Sequence, residues 1–427
     1  MCVPLKVEEN CSGGGIPETL PAQANTQPRK CFTYRKYETI LPIKTLNTVS
    51  EENDIYQRLR RELDRLPIPF PATESGVELR LLQKLFTREE AEIALHLSAI
   101  PEKASKIHKR LGNTSISPEH LEQCLNRMVK KGAIHGVRNR RNREEFRYGK
   151  MPLAIGMFEA QVDKLTKDLA EDFFEYGDEA FGAAVVGNKT NQIRTVPLNL
   201  RIEPDHQVSN YDDITKIIGD SPGPFAVMNC ICRQAKDKTG DSCRRTEDRE
   251  SCILIEGGVE FARNLEVGRE ISKKEVLQLI SKAKKAGLVL QPENNQHPHF
   301  VCCCCGCCCG VLSAAKLFAK PAEYLHSNYF AQVKAEKCGL CEVCLKRCPM
   351  DAFRRTNNHM EVSLDRCIGC GACIPTCKAK AIQLIRKERV KVPPKTDMGM
   401  YKNIMLERFG WLGTLKIAAK VVVGAKV

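Results

Sequence analysis

Eight cysteines fall in two runs that repeat one spacing: Cys338-x2-Cys341-x2-Cys344-x3-Cys348-Pro349 and Cys367-x2-Cys370-x2-Cys373-x3-Cys377. Thiolates are soft metal ligands, and three of them so closely spaced on one loop can cap three irons of a cube. In such a pattern the fourth Cys of each run serves the other cluster. The spacing therefore predicts two [4Fe–4S] clusters. One is held by Cys338, Cys341, Cys344 and Cys377, the other by Cys367, Cys370, Cys373 and Cys348. A pair of zinc sites is the alternative, but zinc does not call for two runs of four with a shared x3 step. Between the runs, residues 351–355 and 360–364 alternate like strands around Thr356-Asn357-Asn358-His359, which predicts a hairpin. Gly369 and Gly371 leave room for backbone N–H groups to approach cluster sulfides.

These runs resemble the bacterial-type dicluster ferredoxin over about residues 334–390. The resemblance implies a carrier of single electrons. Lys378 follows Cys377 where that family usually has Pro. From Cys338 to Val390 there are ten Lys/Arg and five Asp/Glu, so an acidic docking face is expected on the partner.

A second group of thiols lies upstream. Cys302-Cys303-Cys304-Cys305-Gly306-Cys307-Cys308-Cys309 follows Cys230, Cys232, Cys243 and Cys252. Adjacent residues of an extended chain point to opposite sides, so these cysteines cannot all reach one metal. Four thiols would hold one cubane and eight would hold two. A third iron–sulfur centre of undefined nuclearity is expected here, its candidate ligands being Cys230, Cys232, Cys243, Cys252, Cys302, Cys304, Cys305, Cys307, Cys308 and Cys309. Zinc and thiol redox chemistry are the alternatives. His297 and His299 precede the run and read as loop surface.

The order of parts resembles a family of multicluster ferredoxin-like proteins of anaerobic bacteria and archaea. The resemblance rests on Leu85-Phe86-Thr87-Arg88-Glu89-Glu90-Ala91, Cys230-Ile231-Cys232-Arg233, the cysteines from Cys302 to Cys309, and the two runs. It implies an electron-transfer protein of about residues 52–425 and anaerobic metabolism. Members usually carry another residue at the place of Cys303.

The whole chain must position these thiols. It has 427 residues, 23 cysteines and a formal net charge of +14. Its length suggests several domains, and its composition is that of a globular protein. No apolar run is long enough to cross a membrane, and the first residues lack a secretory pattern. A cytoplasmic protein, peripheral to the membrane at most, is therefore expected.

The expected fold class is multidomain α+β: a winged-helix-like N-terminal domain, a mixed α/β cysteine-rich middle and a C-terminal dicluster ferredoxin-like domain. Residues 1–50 read as a disordered tail. Residues 51–150 carry helices at Glu51–Leu66, Val77–Phe86, Arg88–Leu97, Pro101–Leu111 and Ser117–Lys131, then a basic ribbon. Residues 151–225 connect, opening with an amphipathic helix through Phe158, Val162, Leu165, Leu169 and Phe173; strand and helix follow at Arg194–Leu200 and Tyr211–Ile218. Residues 226–333 are the cysteine-rich middle, with a helix at 276–285 capped by Ser272 and stopped by Gly287. Residues 391–427 form a linker and an amphipathic helix.

The wing (Arg138, Arg140, Arg141, Arg143) and the third helix (Gln123, Asn126, Arg127) raise an alternative function, a redox-sensing DNA-binding regulator. Docking to a redox protein or oxidoreductase subunit is the primary expectation. The C-terminal helix, with Phe409, Trp411, Leu412 and Leu415 among lysines, is expected to pack on protein, or on an anionic membrane surface. No nucleotide-binding or hydrolase motif is present, so no catalytic residue is assigned.

Overall fold

The computed structural model describes residues 51–112, 116–138, 142, 145–198, 209–422 and 425–427. The expected tail at 1–50, Arg140, Arg141, Arg143 and the end of the expected strand at 199–200 lie outside them.

The first helices are Glu51–Leu63, Val77–Leu85, Arg88–Leu95, Ala104–Leu111 and Pro118–Lys131. They are followed by an antiparallel pair, β1 (His135–Arg138) and β2 (Phe146–Gly149). Local signals set the boundaries. The Thr87 hydroxyl accepts from the Glu90 amide while the Glu90 carboxylate accepts from Thr87 N–H at 2.8 Å, a reciprocal cap. Ser117 caps the longest of these helices ahead of Pro118. That helix ends at Gly132, whose φ is 77° and where a Cβ would lie 2.3 Å from Ala160 Cβ. Backbone conformation and packing against residue 160 thus both require glycine there.

The helix expected through Phe158 and Phe173 is interrupted. A wide turn at Leu153–Met157 and a 3-10 turn at Glu159–Gln161 precede a helix at Lys167–Tyr176. The break falls at Asp163, whose φ is 65° and whose carboxylate accepts from Asn229 and Gln234. Thr166 then caps the new helix. Phe158 and Phe173 still meet, stacked at 3.4 Å between ring centres. Apolar periodicity alone carried the expectation, and side-chain hydrogen bonds to a distant element overrode it. Near residue 194 the structure has single bridges, Ile193 to Glu293 and Val196 to Leu290, in place of a strand.

The middle of the chain is a five-stranded antiparallel sheet. Its strands are β3 (Phe225–Asn229), β4 (Glu250–Ile255), β5 (Arg269–Ile271), β6 (Val289–Pro292) and β7 (Phe300–Cys304), in the spatial order β5-β3-β4-β7-β6. Phe225, Ile253, Ile255, Leu290 and Val301 pack on one side against Val276 and Ile280 of the helix Lys273–Ala286. Ser272 and Gly287 bound that helix as expected. Ala226, Met228 and Leu254 face the other side, toward Val259 and Ala262.

Downstream, β8 (Tyr329–Val333) pairs with β11 (Ile382–Arg386), and β9 (Phe353–Arg355) pairs with β10 (Met360–Val362) as the expected hairpin. The C-terminal helix runs from Asp397 to Val422 and breaks at Gly410, with φ 66°. Its first half buries Met400 and Ile404 in the same core as the N-terminal helices. Arg408 pairs with Asp64 at 3.3 Å, and Lys426 with Glu62 at 2.6 Å. Beyond Gly410, Trp411, Leu412 and Leu415 are exposed. No described helix is long and apolar enough to cross a membrane.

Replacing Thr87 with Ala removes one side of the reciprocal cap. A loss of about 1 kcal/mol is expected, read as roughly fivefold faster amide exchange across Arg88–Leu95.

Candidate metal centres

The two ferredoxin-like runs are placed by β8–β11 on one side and the short β9–β10 hairpin on the other. The Ala352 amide donates to Cys348 Sγ, and the Ala381 amide to Cys377 Sγ, both at 3.3 Å. The two runs thus repeat a local geometry as well as a spacing. A third amide, Ala331 N–H of β8, donates to Cys367 Sγ at 3.3 Å. Such bonds favour the thiolate, the form that binds iron. Gly369 has φ 62°, and a Cβ there would sit 2.1 Å from Tyr329 O. Its role is to admit the β8 backbone.

Cys348 approaches the second run. Burial raises Cys373 well above a free thiol, and Cys370, Cys367 and Cys348 add to the rise. Burial likewise lifts Cys344 to about 11, with Cys338 and Cys341 contributing. The second run is buried at Cys367, Cys370 and Cys373, whereas Cys341 of the first is exposed. No three of these eight sulfurs lie within 4.8 Å of one another, as ligands of a single zinc ion would. The wider spread suits a cluster, whose thiolates bind separate irons.

The middle thiols are sorted by β7. Cys303 shares the face of Leu290 and Val301, inside the core under the helix Lys273–Ala286. Cys302 and Cys304 face the opposite way. After β7 the chain turns at Cys305–Gly306, and the ten candidates of the single expected centre separate into two sets.

Cys243, Cys305, Cys307 and Cys308 form the first set, with their sulfurs all within 4.8 Å of one another. Cys243 Sγ lies 3.6 Å from Cys305 Sγ and 3.8 Å from Cys307 Sγ, and Cys308 Sγ lies 3.7 Å from Cys307 Sγ. A tetrahedron with metal–sulfur bonds near 2.3 Å has edges of about 3.8 Å. These four could hold one metal ion. The Cys308 thiol holds Cys305 down to about 4, with the Arg233 guanidinium assisting against burial.

Cys230, Cys232, Cys309, Cys304, Cys302 and Cys252 form the second set. Each interacts with the next in that order. Cys252 also feels the charge of Cys230, which closes the series into a ring. Cys252 and Cys302 are direct cross-strand partners on β4 and β7. Cys230 and Cys309 stand at the N-termini of the helices Ile231–Lys238 and Gly310–Leu317. Cys232 and Cys304 hold Cys309 down to about 5, and Cys252 and Cys304 hold Cys302 well below a free thiol.

Arg233 lies between the sets, with no exposed surface. Its guanidinium donates to Cys303 O at 2.7 Å, to Asp248 O at 3.3 Å and to the Ser251 hydroxyl, while Nε has no partner. No carboxylate lies at ion-pair distance from it among the described residues. Burial opposes its charge, but the neighbouring sulfurs of Cys230, Cys305 and Cys304 support it; of the three, Cys305 is held down while Cys230 and Cys304 are pushed well above a free thiol.

Two residues without a motif complete the surroundings. Gln291 is fully buried opposite Cys302 on β6; its Oε1 accepts from Cys309 at 3.9 Å, and its Nε2 has no partner. Burial lifts Glu159 to about 7, and Cys302 adds to the rise. Only strand register brings Gln291 to the thiols, so local spacing could not reveal it. His297 is exposed and His299 pairs with Glu293 at 3.2 Å. A smaller group, Glu89, His120 and Cys124, also clusters. There the Arg127 guanidinium lies 3.2 Å from Cys124 Sγ and competes with any cation.

If the first set binds one tetrahedral ion, Cys243→Ser lowers the bound metal by about one divalent ion per chain and leaves the iron of the ferredoxin-like runs unchanged. Elemental analysis of the intact chain checks this.

Residues 331–378 match the family of 4Fe-4S dicluster domains. No curated protein and no solved structure matches the chain. A dicluster domain implies two [4Fe–4S] clusters and suggests electron transfer, and the match covers both cysteine runs, with β8 contributing its last residues.

Proposed function

We propose that the chain is an iron–sulfur electron carrier that serves as a partner or subunit of an anaerobic oxidoreductase system. The observation that carries this reading is the dicluster segment with its paired cysteine runs. Cys338, Cys341, Cys344 and Cys377 hold one [4Fe–4S] cluster, and Cys367, Cys370, Cys373 and Cys348 hold the other. The cubanes supply single-electron redox chemistry when bound. The chain's own part is to space the clusters, donate amide hydrogens to their thiolates and exclude water from the second.

Exposure gives the relay a direction. The first cluster lies toward solvent at Cys341, and the second is enclosed by buried cysteines next to the middle region. Lys346, Lys378 and Lys380 are exposed beside ligands of the first cluster and have no ion-pair partner among the described residues. They suit an acidic redox partner docking at that cluster. Residues 51–150, read as winged-helix-like, then serve as scaffold or docking surface.

The DNA-regulator alternative finds less support. Arg127 is engaged by Glu89 and Glu90 at 3.6 and 3.3 Å, and Asn126 Oδ1 accepts from the Tyr148 hydroxyl at 2.8 Å. The end of their helix packs at Gly132 against Ala160 and Leu265. A salt-dependent shift of a DNA fragment by the intact protein would restore that reading.

Cross-ligation is tested by two variants of the full chain. Cys348→Ser is expected to disturb the buried cluster of the second run, and Cys377→Ser the exposed cluster of the first. Electron paramagnetic resonance of the reduced proteins distinguishes them; the opposite assignment would overturn the ligand sets. Lys346→Glu with Lys378→Glu and Lys380→Glu is expected to slow reduction by an acidic donor about tenfold at low salt, and the difference should shrink as salt is added.

A further inference from the structure

We infer that Cys230, Cys232, Cys252, Cys302, Cys304 and Cys309 hold an iron–sulfur cluster of their own, separate from the two ferredoxin-like clusters and from the four-sulfur site at Cys243. The site is argued from its own residues and rests on the electron-carrier reading only for its role.

Number and closure come first. Six thiols from two strands and two helix N-termini meet in one ring. A single tetrahedral ion uses four thiolates, and the compact set at Cys243 already offers that arrangement. Six thiols so arranged exceed what one tetrahedral ion uses and suit a polynuclear centre.

Charge comes second. A guanidinium stays protonated, and burying one without compensating negative charge is costly. Arg233 is fully buried with no carboxylate at ion-pair distance among the described residues; it directly follows Cys232 and donates to Cys303 O at 2.7 Å, so the sulfurs around it are the groups placed to balance its charge. Crowded thiolates repel one another unless they bind metal. The N-termini of two eight-residue helices point the same way, since their unpaired amides favour negative charge at Cys230 and Cys309.

Hydrogen bonding comes third, and it favours iron–sulfur over zinc. Gln291 Nε2 and Arg233 Nε are buried N–H donors without acceptors, and the Gln291 amide is held beside the ring by its Oε1, which accepts from Cys309 at 3.9 Å. A buried donor without a partner is rare and calls for an acceptor other than a protein atom. Inorganic sulfide is such an acceptor, and hydrogen bonds to sulfide tune the potential of a cluster.

Placement gives the role. Cys302, Cys304 and Cys309 belong to the same apolar cluster of side chains as Cys348 and Cys370. The ring therefore abuts the ligands of the enclosed ferredoxin-like cluster, and it is the next centre along the relay.

The test is iron, acid-labile sulfide and zinc per full-length chain, purified without oxygen. Three proteins are compared: the wild type, Cys302→Ser with Cys304→Ser, and Cys303→Ser. The wild type is expected to hold about twelve irons or more. The double variant should lose about four or more while keeping any metal at the Cys243 set and the paramagnetic signals of the ferredoxin-like clusters. Cys303→Ser, on the opposite face of β7, should keep all its iron.

About eight irons in the wild type would overturn the inference, as would an unchanged count in the double variant. If the double variant fails to fold, the wild-type count still decides, together with mass spectrometry after denaturing alkylation. Six ring cysteines recovered as disulfides would overturn it; six recovered as free thiols once iron is released would support it. The difference between wild type and variant judges the ring. The iron left in the variant judges the dicluster reading.

Discussion

The two-residue period of β7 governs how this chain can use its densest run of thiols. Cys302 and Cys304 must face one side of the sheet and Cys303 the other. The turn at Cys305–Gly306 then releases Cys305, Cys307 and Cys308 toward Cys243. Consecutive cysteines are thereby divided among a ring, a compact tetrahedral set and the core. Register with the neighbouring strands does the rest, placing Cys252 and Gln291 on either side of Cys302. A shift of one residue would send Cys303 to the ring and bury Cys302 and Cys304 under the helix Lys273–Ala286.

The sequence was most legible where chemistry depends on local spacing. The paired runs, the hairpin between them, and the helices bounded by Thr87, Ser117 and Ser272 all follow from residues a few positions apart. It was least legible where chemistry depends on which strands lie side by side. One middle centre was expected from ten cysteines, and the structure separates them into sets of six and four because β4 and β7 pair and then β7 ends. The β8–β11 pairing was missed for the same reason, its partners being joined only across both cysteine runs. The broken helix near Asp163 shows the converse: Phe158 and Phe173 made a convincing apolar stripe, but Asn229 and Gln234, far along the chain, fix the turn.

Charge ties the cysteine regions to one another. Arg233 touches both middle sets, and its carbonyl contact to Cys303 anchors it to the strand that sorts them. Around the ferredoxin-like runs, backbone amides take the same part, since they stabilise thiolates without adding a mobile charge. The electrostatic support of these thiols is therefore built from fixed groups, most of them inside the fold, while exposed lysines without an ion-pair partner among the described residues lie outside, beside Cys344 and Cys377. Interior groups set how easily each centre is reduced, and surface groups set who meets it.

Gly306 gives this arrangement a mechanical consequence. A Cβ at that position would lie 2.9 Å from Pro349 Cβ, immediately after Cys348. The loop between Cys305 and Cys307 thus rests directly on the loop that carries Cys348, the ligand proposed for the enclosed cluster, with no space for a side chain between them. Electrons tunnelling between the middle region and that cluster would cross a gap set by van der Waals contact, not by diffusion or hinge motion. That internal step would be indifferent to solvent viscosity, and the tempo of the whole carrier would be left to its encounters at the surface.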